Sequence, residues 1–248
     1  MTGQQKWVAV TGATSGIGRA VVEALLQLGY RVIACGRDQQ KLDALQAEQS
    51  AVTPFSHLRC YSFDVADEHA VREVFAELHY NETLLDGLVT AAGSSSSQPL
   101  SVNTSTGFTD DMATNALGTY LAILYFSQLM TDGGSIVTVA SIRGQTPTPA
   151  GIGYAASKAA VIEITRSSAL QLAPQSIRVN CVSPGAVFPT GMSSAWSLEK
   201  QQRIAASVPL KRLASPQDIA NSILFLLSDK AAYITGQTIN INGGELMS

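Results

Sequence analysis

The sequence predicts an α/β fold: a doubly wound parallel sheet of seven strands with helices on both faces. Two patterns predict it. Short apolar runs rich in Val and Ile alternate with longer stretches whose apolar residues recur at helical spacing, and this βαβα rhythm calls for parallel strands joined by crossovers. The runs are also apolar on both faces, so helices must cover both sides of the sheet, and right-handed crossovers then wind it in two directions. No internal repeat, linker or composition break divides the 248 residues, a length that one α/β domain commonly reaches.

In chain order, Trp7–Val10 is the first strand and runs straight into a glycine cluster, from which Gly16–Leu28 continues as a helix. Arg31–Cys35 is the second strand; Asp38 stands where the next helix, Gln39–Gln49, needs an N-cap. Leu58–Phe63 and Gly87–Ala91 are the third and fourth strands, on either side of a helix over Glu68–His79. Four serines, Ser94–Ser97, follow as a loop. A long helical stretch around Asp110–Met130 leads to the fifth strand, Ser135–Ala140, which Ser141 closes. Gly153–Leu172 is helical, Ile177–Val182 is the sixth strand, Pro216–Leu227 the last helix and Thr238–Ile241 the seventh strand.

Charged residues make up 14% of the chain and hydrophobic ones 46%, against roughly 25% charged in soluble chains generally. That imbalance predicts surface hidden by self-association. The helices around Met112–Met130 and Gly153–Leu172 carry apolar residues over more than one stripe, as helices do when they pack on their own sheet and on a partner. A net charge of −3 without a long basic run argues against nucleic acid. The apolar stretch Ala116–Phe126 is broken by Gly118, Thr119 and Tyr120 and falls short of the roughly 18 residues that span a bilayer. With no export signal before Trp7, the expectation is a cytoplasmic protein with no membrane association. Cys35, Cys60 and Cys181 are odd in number and far apart, with no CxxC and no His at ligand spacing. They read as buried free thiols, with neither a disulfide framework nor a metal site.

Chemistry gathers at two places. In Thr11-Gly12-Ala13-Thr14-Ser15-Gly16-Ile17-Gly18 the glycines let the chain turn sharply between strand and helix, and the helix N-terminus offers amides to a pyrophosphate. The spacing is GxxxGxG rather than the commoner GxGxxG. Tyr154 and Lys158, four apart on a helix, share a face, so the ammonium stands near the phenol and favours its phenolate. His57, His69 and His79 all lie in the first third of the chain and no GxSxG surrounds Ser141, which disfavours a hydrolase.

The glycine loop, Ser141, Tyr154-Ala-Ala-Ser-Lys158, Pro184-Gly185 and the ending Ile234–Gly244 together resemble the short-chain dehydrogenase/reductase family, over nearly the whole chain. The resemblance implies a single Rossmann-like domain over 1–248, with a cofactor half of about 1–140 and a catalytic and substrate half of about 141–248. It implies NADP(H) or NAD(H), and hydride transfer between an alcohol and a carbonyl. Tyr154 is then the acid/base, Ser141 bonds the substrate oxygen, Lys158 also reaches the ribose, and Asn115 bends the long helix and helps a water connect Lys158 to solvent. Gly12, Thr14, Ser15, Gly16, Ile17 and Gly18 hold the pyrophosphate; Asp64, Val65, Ala92, Gly93, Pro184, Gly185, Val187 and Thr190 complete the cofactor set. Two departures stand out. Thr90-Ala91-Ala92-Gly93 replaces the family's Asn-Asn-Ala-Gly and loses two amides, and the threonine expected after Pro184-Gly185 is displaced to Thr190.

At the end of the second strand Gly36 takes the place of the acid that selects NAD, and Arg37 follows with a guanidinium suited to a phosphate. NADP(H) is therefore the expected preference, with NAD(H) the alternative. The substrate wall is expected from Ser94–Gln98, Arg143, Gln145 and Phe188–Val208, with Phe188, Met192 and Trp196 either a lid or ordinary core. Arg143 meets an anionic group or faces solvent. Three functions are weighed: an oxidoreductase on small or medium carbonyls, a 3-oxoacyl thioester reductase, and a dinucleotide-binding sensor or scaffold without turnover. Leu129–Gly134 and Ala173–Ser176 hold no cation, so acyl carrier protein is not the expected carrier. A homotetramer is expected, since in the resembling family the two long helices build a four-helix interface.

Overall fold

The computed structural model describes residues 7–51, 54–96, 98–102, 104–149 and 151–247. All seven expected strands form: β1 (Trp7–Thr11), β2 (Arg31–Gly36), β3 (Leu58–Ser62), β4 (Leu85–Thr90), β5 (Met130–Val139), β6 (Arg178–Pro184) and β7 (Thr238–Ile241). They make one sheet in the order β3-β2-β1-β4-β5-β6-β7, and every pair is parallel.

The two-faced apolar runs separate into two cores as strand geometry dictates. Val8 and Val10 pack with α1 (Gly16–Gln27), α2 (Gln39–Ser50) and α8 (Pro216–Leu227) on one face. Trp7 and Ala9 pack with α3 (Glu68–Tyr80), α5 (Gly118–Phe126) and α6 (Ile152–Leu172) on the other. Leu25, Ile33, Leu88 and Phe126 are almost wholly enclosed, and burying each such side chain contributes on the order of 1.5–3 kcal/mol. Cys35 and Cys181 are buried, whereas Cys60 is only half-buried, and all three thiols are free.

The long helix differs from expectation at both ends. It starts at α4 (Ser105–Asp111), where Thr104 caps it by accepting from the Gly107 amide at 3.1 Å. It passes through a π-helical turn, Met112–Leu117, and ends with α5 at Phe126. β5 begins at Met130 rather than Ser135, with its register against β4 irregular between Leu85 and Gly87. One further helix, α7 (Leu198–Ser207), buries none of its residues and is capped by Ser197.

Candidate active site

Because all strands run one way, the loops after β1, β2, β4, β5 and β6 gather along one edge of the sheet. They line a cleft of about 850 Å³, within the range of small-molecule sites. It bridges β1 and β4, where the winding of the sheet reverses.

Gly12, Thr14, Ser15, Gly16 and Ile17 form one wall. Gly12 has φ +68°, and a Cβ there would stand 2.6 Å from the Ala92 nitrogen, so the loop passes against the end of β4 only as glycine. Gly18, expected to hold cofactor, is not in the wall. A Cβ on it would meet the Gly12 carbonyl at 2.2 Å, and its role is to seat α1 under the loop. Ser15 precedes α1 without a side-chain cap and no acid occupies the first turn, which leaves the helix N-terminus suited to an anion.

Gly36, Arg37, Asp38 and Lys41 line the end of the cleft beyond β2. Asp38 is the helix cap expected of it, accepting from the Lys41 amide at 3.1 Å and pairing with the Lys41 ammonium at 3.1 Å. Those bonds hold its carboxyl below the usual range. Arg37 reaches Asp64 at 3.5 Å through a largely exposed pair. Asp64 itself caps the turn after β3 by accepting from the Ala66 amide, and Phe63 and Val65, not Asp64, face the cleft.

Ser141, Tyr154 and Lys158 come together in the opposite wall. Ser141 starts a short 3-10 turn and accepts from the Arg143 amide at 3.2 Å. The Ser141 hydroxyl bears on the Tyr154 phenol beside it in the wall. Lys158 is buried, donates to the Val139 carbonyl at 2.8 Å and lies 5.8 Å from the centre of the Tyr154 ring. Burial pulls the Lys158 ammonium down to about 8, with Cys181 and Asp111 acting against it. Burial also pushes the Tyr154 phenol above its ordinary value; the Ser141 hydroxyl and Arg143 pull it down, and Asp111 adds to the rise. The lowering expected from Lys158 is not among the influences on the phenol, and desolvation sets the net direction upward.

Asn115 stands behind the cleft rather than in its wall, inside the π turn. Its amide nitrogen donates to the Ser94 carbonyl and to Ser157 Oγ, both at 2.9 Å, and its oxygen accepts from the Ser94 amide at 2.9 Å. π turns within α-helices recur at functional sites, and this one ties the loop after β4 to α6.

A family model described as "Enoyl-(Acyl carrier protein) reductase" matches residues 12–245. The 3-oxoacyl-[acyl-carrier-protein] reductase FabG of Staphylococcus aureus (strain Mu50) is 35% identical over 247 residues, covering 98% of each chain. A short-chain type dehydrogenase/reductase structure from Mycobacterium ulcerans superposes with a TM-score of 0.89 at 28% identity, covering 99% of this chain and 91% of that one. The chain belongs to the short-chain dehydrogenase/reductase family. A second structure, a short-chain dehydrogenase/reductase titled "Glucose/ribitol dehydrogenase" from Brucella melitensis, gives a TM-score of 0.91 at 30% identity over 98% of this chain and 97% of that one.

Both departures of this short-chain dehydrogenase/reductase from its family's pattern have a structural outcome. At Thr90-Ala91-Ala92-Gly93 the end of β4 is held by Thr11, whose hydroxyl accepts from the Ala92 amide at 3.3 Å, while the Thr90 hydroxyl is buried without a partner among the described residues. Thr190 does reach the cleft, as do Pro184, Gly185 and Val187. Three residues expected in the substrate wall lie outside the cleft lining. Ser94 turns away to Asn115 and Asp111, and Ser95 lines the cleft in its place. Gln145 is used up on the sheet edge, donating to Ser183 Oγ and Asn240 Oδ1 at 2.7 Å each. Phe188 is outside the lining, whereas Met192 and Trp196 are in it, the Trp196 ring 4.8 Å from the Lys200 ammonium. Ser97 lies outside the described residues. Arg143 pairs with Glu245 at 3.2 Å in the wall. Ser95 and Lys200 line it from within the expected wall segments, whereas Lys41, Thr148 and Glu245 line it without having been singled out from the sequence; for Lys41 alone a signal was present, one helical turn after Arg37.

Proposed function

We propose that the chain is an NADP(H)-dependent oxidoreductase moving a hydride between the nicotinamide cofactor and a small or medium alcohol/carbonyl substrate, with Tyr154 as acid/base. The observation that carries this reading is that Ser141, Tyr154 and Lys158 share the cleft wall, with Lys158 buried and its ammonium 5.8 Å from the centre of the Tyr154 ring. A sensor or scaffold needs no such group. The cofactor supplies or removes the hydride. Ser141 holds the substrate oxygen, and the Tyr154 hydroxyl gives that oxygen its proton on reduction and recovers it on oxidation. Because burial keeps the phenol protonated, its donor form stands ready at neutral pH, and oxidation calls for alkaline conditions.

Gly12, Thr14, Ser15, Gly16 and Ile17 would hold the pyrophosphate, with Val65, Ala92 and Gly93 farther along the cleft. Pro184, Gly185, Val187 and Thr190 would flank the carboxamide. Arg37 and Lys41 on either side of Asp38 supply two cations for a 2′-phosphate, and Gly36 adds no side chain to exclude it. The protein is further read as a cytoplasmic homotetramer of single-domain chains.

The names of the FabG relatives favour a second reading, reduction of a 3-oxoacyl thioester. Consumption of NADPH and NADH with ketones, aldehydes, sugars and 3-oxoacyl thioesters separates the two. We expect NADPH to be consumed and Tyr154→Phe to bind it normally while turning over about 10²–10⁴-fold more slowly. Wild-type turnover in Tyr154→Phe would overturn the acid/base assignment. Reduction of a carrier-linked 3-oxoacyl chain much faster than of its small thioester mimic would instead establish the second reading and the carrier.

A further inference from the structure

The described residues include one wholly enclosed carboxylate that the proposed reaction does not use. Asp111, the last residue of α4, is 1% exposed. Its oxygens accept from the Ser96 amide at 3.1 and 3.2 Å, from Ser96 Oγ at 2.9 Å and from Ser94 Oγ at 3.3 Å. Every one of these partners donates, as suits a carboxylate, which only accepts. The carboxylate also lies directly against α6: a Cβ on Gly153, the neighbour of Tyr154, would stand 3.2 Å from Asp111 Oδ2. Asp111 is one turn before Asn115, and the two side chains together grip Ser94 and Ser96 from behind. Residues alternate in an extended segment, so with Ser94 and Ser96 turned to Asp111, the intervening Ser95 faces the cleft.

We propose that Asp111 is a positioning residue of the active site, clamping the serine loop so that Ser95 faces the substrate and setting a fixed negative charge behind Tyr154 and Lys158. The clamp accounts for a serine at 94 and at 96. The charge acts on two groups at once, raising the proton affinity of the phenol and of the ammonium. The other groups that bear on Tyr154 are the Ser141 hydroxyl and the Arg143 guanidinium, the latter paired with Glu245, and Lys158 lies near the ring. Cys181 of β6 bears on Lys158. Asp111 is thus a negative charge beside a phenol whose other charged neighbours are Arg143 and Lys158, and it biases Tyr154 toward its proton-donating form.

This inference rests on the acid/base reading of Tyr154, and its test is made without substrate or turnover, so that the two fail separately. Protein carrying ¹³Cζ-labelled tyrosine is titrated by NMR, with Tyr154→Phe identifying the resonance. Asp111→Asn is expected to lower the Tyr154 midpoint by about one pH unit, and Ser96→Ala, which keeps the carboxylate, to leave it in place. An unmoved midpoint in Asp111→Asn, or an equal shift in Ser96→Ala, overturns the proposal. Should Asp111→Asn fail to fold, neutron diffraction from the unaltered protein decides: a bare carboxylate facing the Ser96 hydroxyl proton upholds it, and a proton on Asp111 overturns it.

Discussion

Lys158 is the residue at which stability and reaction are most directly opposed. Its ordinary pKa of 10.5 falls to about 8 on burial, which below pH 8 costs on the order of 3 kcal/mol. The bond to the Val139 carbonyl returns about 1 kcal/mol of that. Lys158→Met, which keeps the stem and loses the charge, is therefore expected to resist urea better than the wild type at pH 7 while losing activity. Between pH 8 and 10.5 the unfolded chain holds a proton that the folded one has released, so wild-type stability rises with pH and the gap closes. Urea midpoints at pH 7, 8 and 10 for the two proteins check the sign. Arg37 is the corresponding test of cofactor choice. Its pair with Asp64 is 3.5 Å long and largely exposed, so little holds it from a phosphate, and Arg37→Ala should raise the KM for NADPH far more than that for NADH. Equal loss with both cofactors would remove the assignment.

Among the elements, the glycine loop gives the sharpest test. Alanine at Gly18 gains about 1 kcal/mol of helix propensity, but its Cβ would lie 2.2 Å from the Gly12 carbonyl, and overpacking of that kind costs about 1–3 kcal/mol. Gly18→Ala should lower the melting temperature and weaken NADPH binding although Gly18 is not in the cleft wall; calorimetry and a binding titration read the two effects. The strands were legible because runs such as Val32–Cys35 are apolar at every position, a pattern that only a sheet covered on both faces explains. α7 was read only as part of the wall segment Phe188–Val208, because its residues are polar on average and none is buried against the core. The start of α4 was hidden for the same reason, since Ser105–Asp111 reads as polar loop until Thr104 is seen to cap it. In the site, motif residues at fixed spacing were readable, while Gln145 and Phe188 lie outside the cleft lining, since nothing in spacing tells which way a loop side chain turns. Asp111 was not singled out, though it lies four residues before Asn115 on the same helix.

At the scale of the whole molecule, the apolar surface left uncovered on the end of the π turn and on α5 carries the expectation of assembly. Leu117, Tyr120 and Leu124 are 44%, 48% and 38% exposed along one stripe, and Leu170 of α6 is 79% exposed. Light scattering at micromolar concentration should report four chains, and Leu124→Glu should reduce the mass; a monomeric wild type would refute the assembly. The π turn gives this stripe its direction. Such a turn holds one residue more than an α turn, and each residue rotates the chain by about 100°, so everything beyond Leu117 is out of phase with everything before Met112. Deleting one residue from the turn would restore an unbroken α-helix and swing Leu117, Tyr120 and Leu124 more than a quarter-circle from where they now point, or else drag Asp111 and Asn115 off the serine loop. The helix is thus a keyed shaft, its first half locked to the cleft and its second half aimed outward, and a single residue count satisfies both ends.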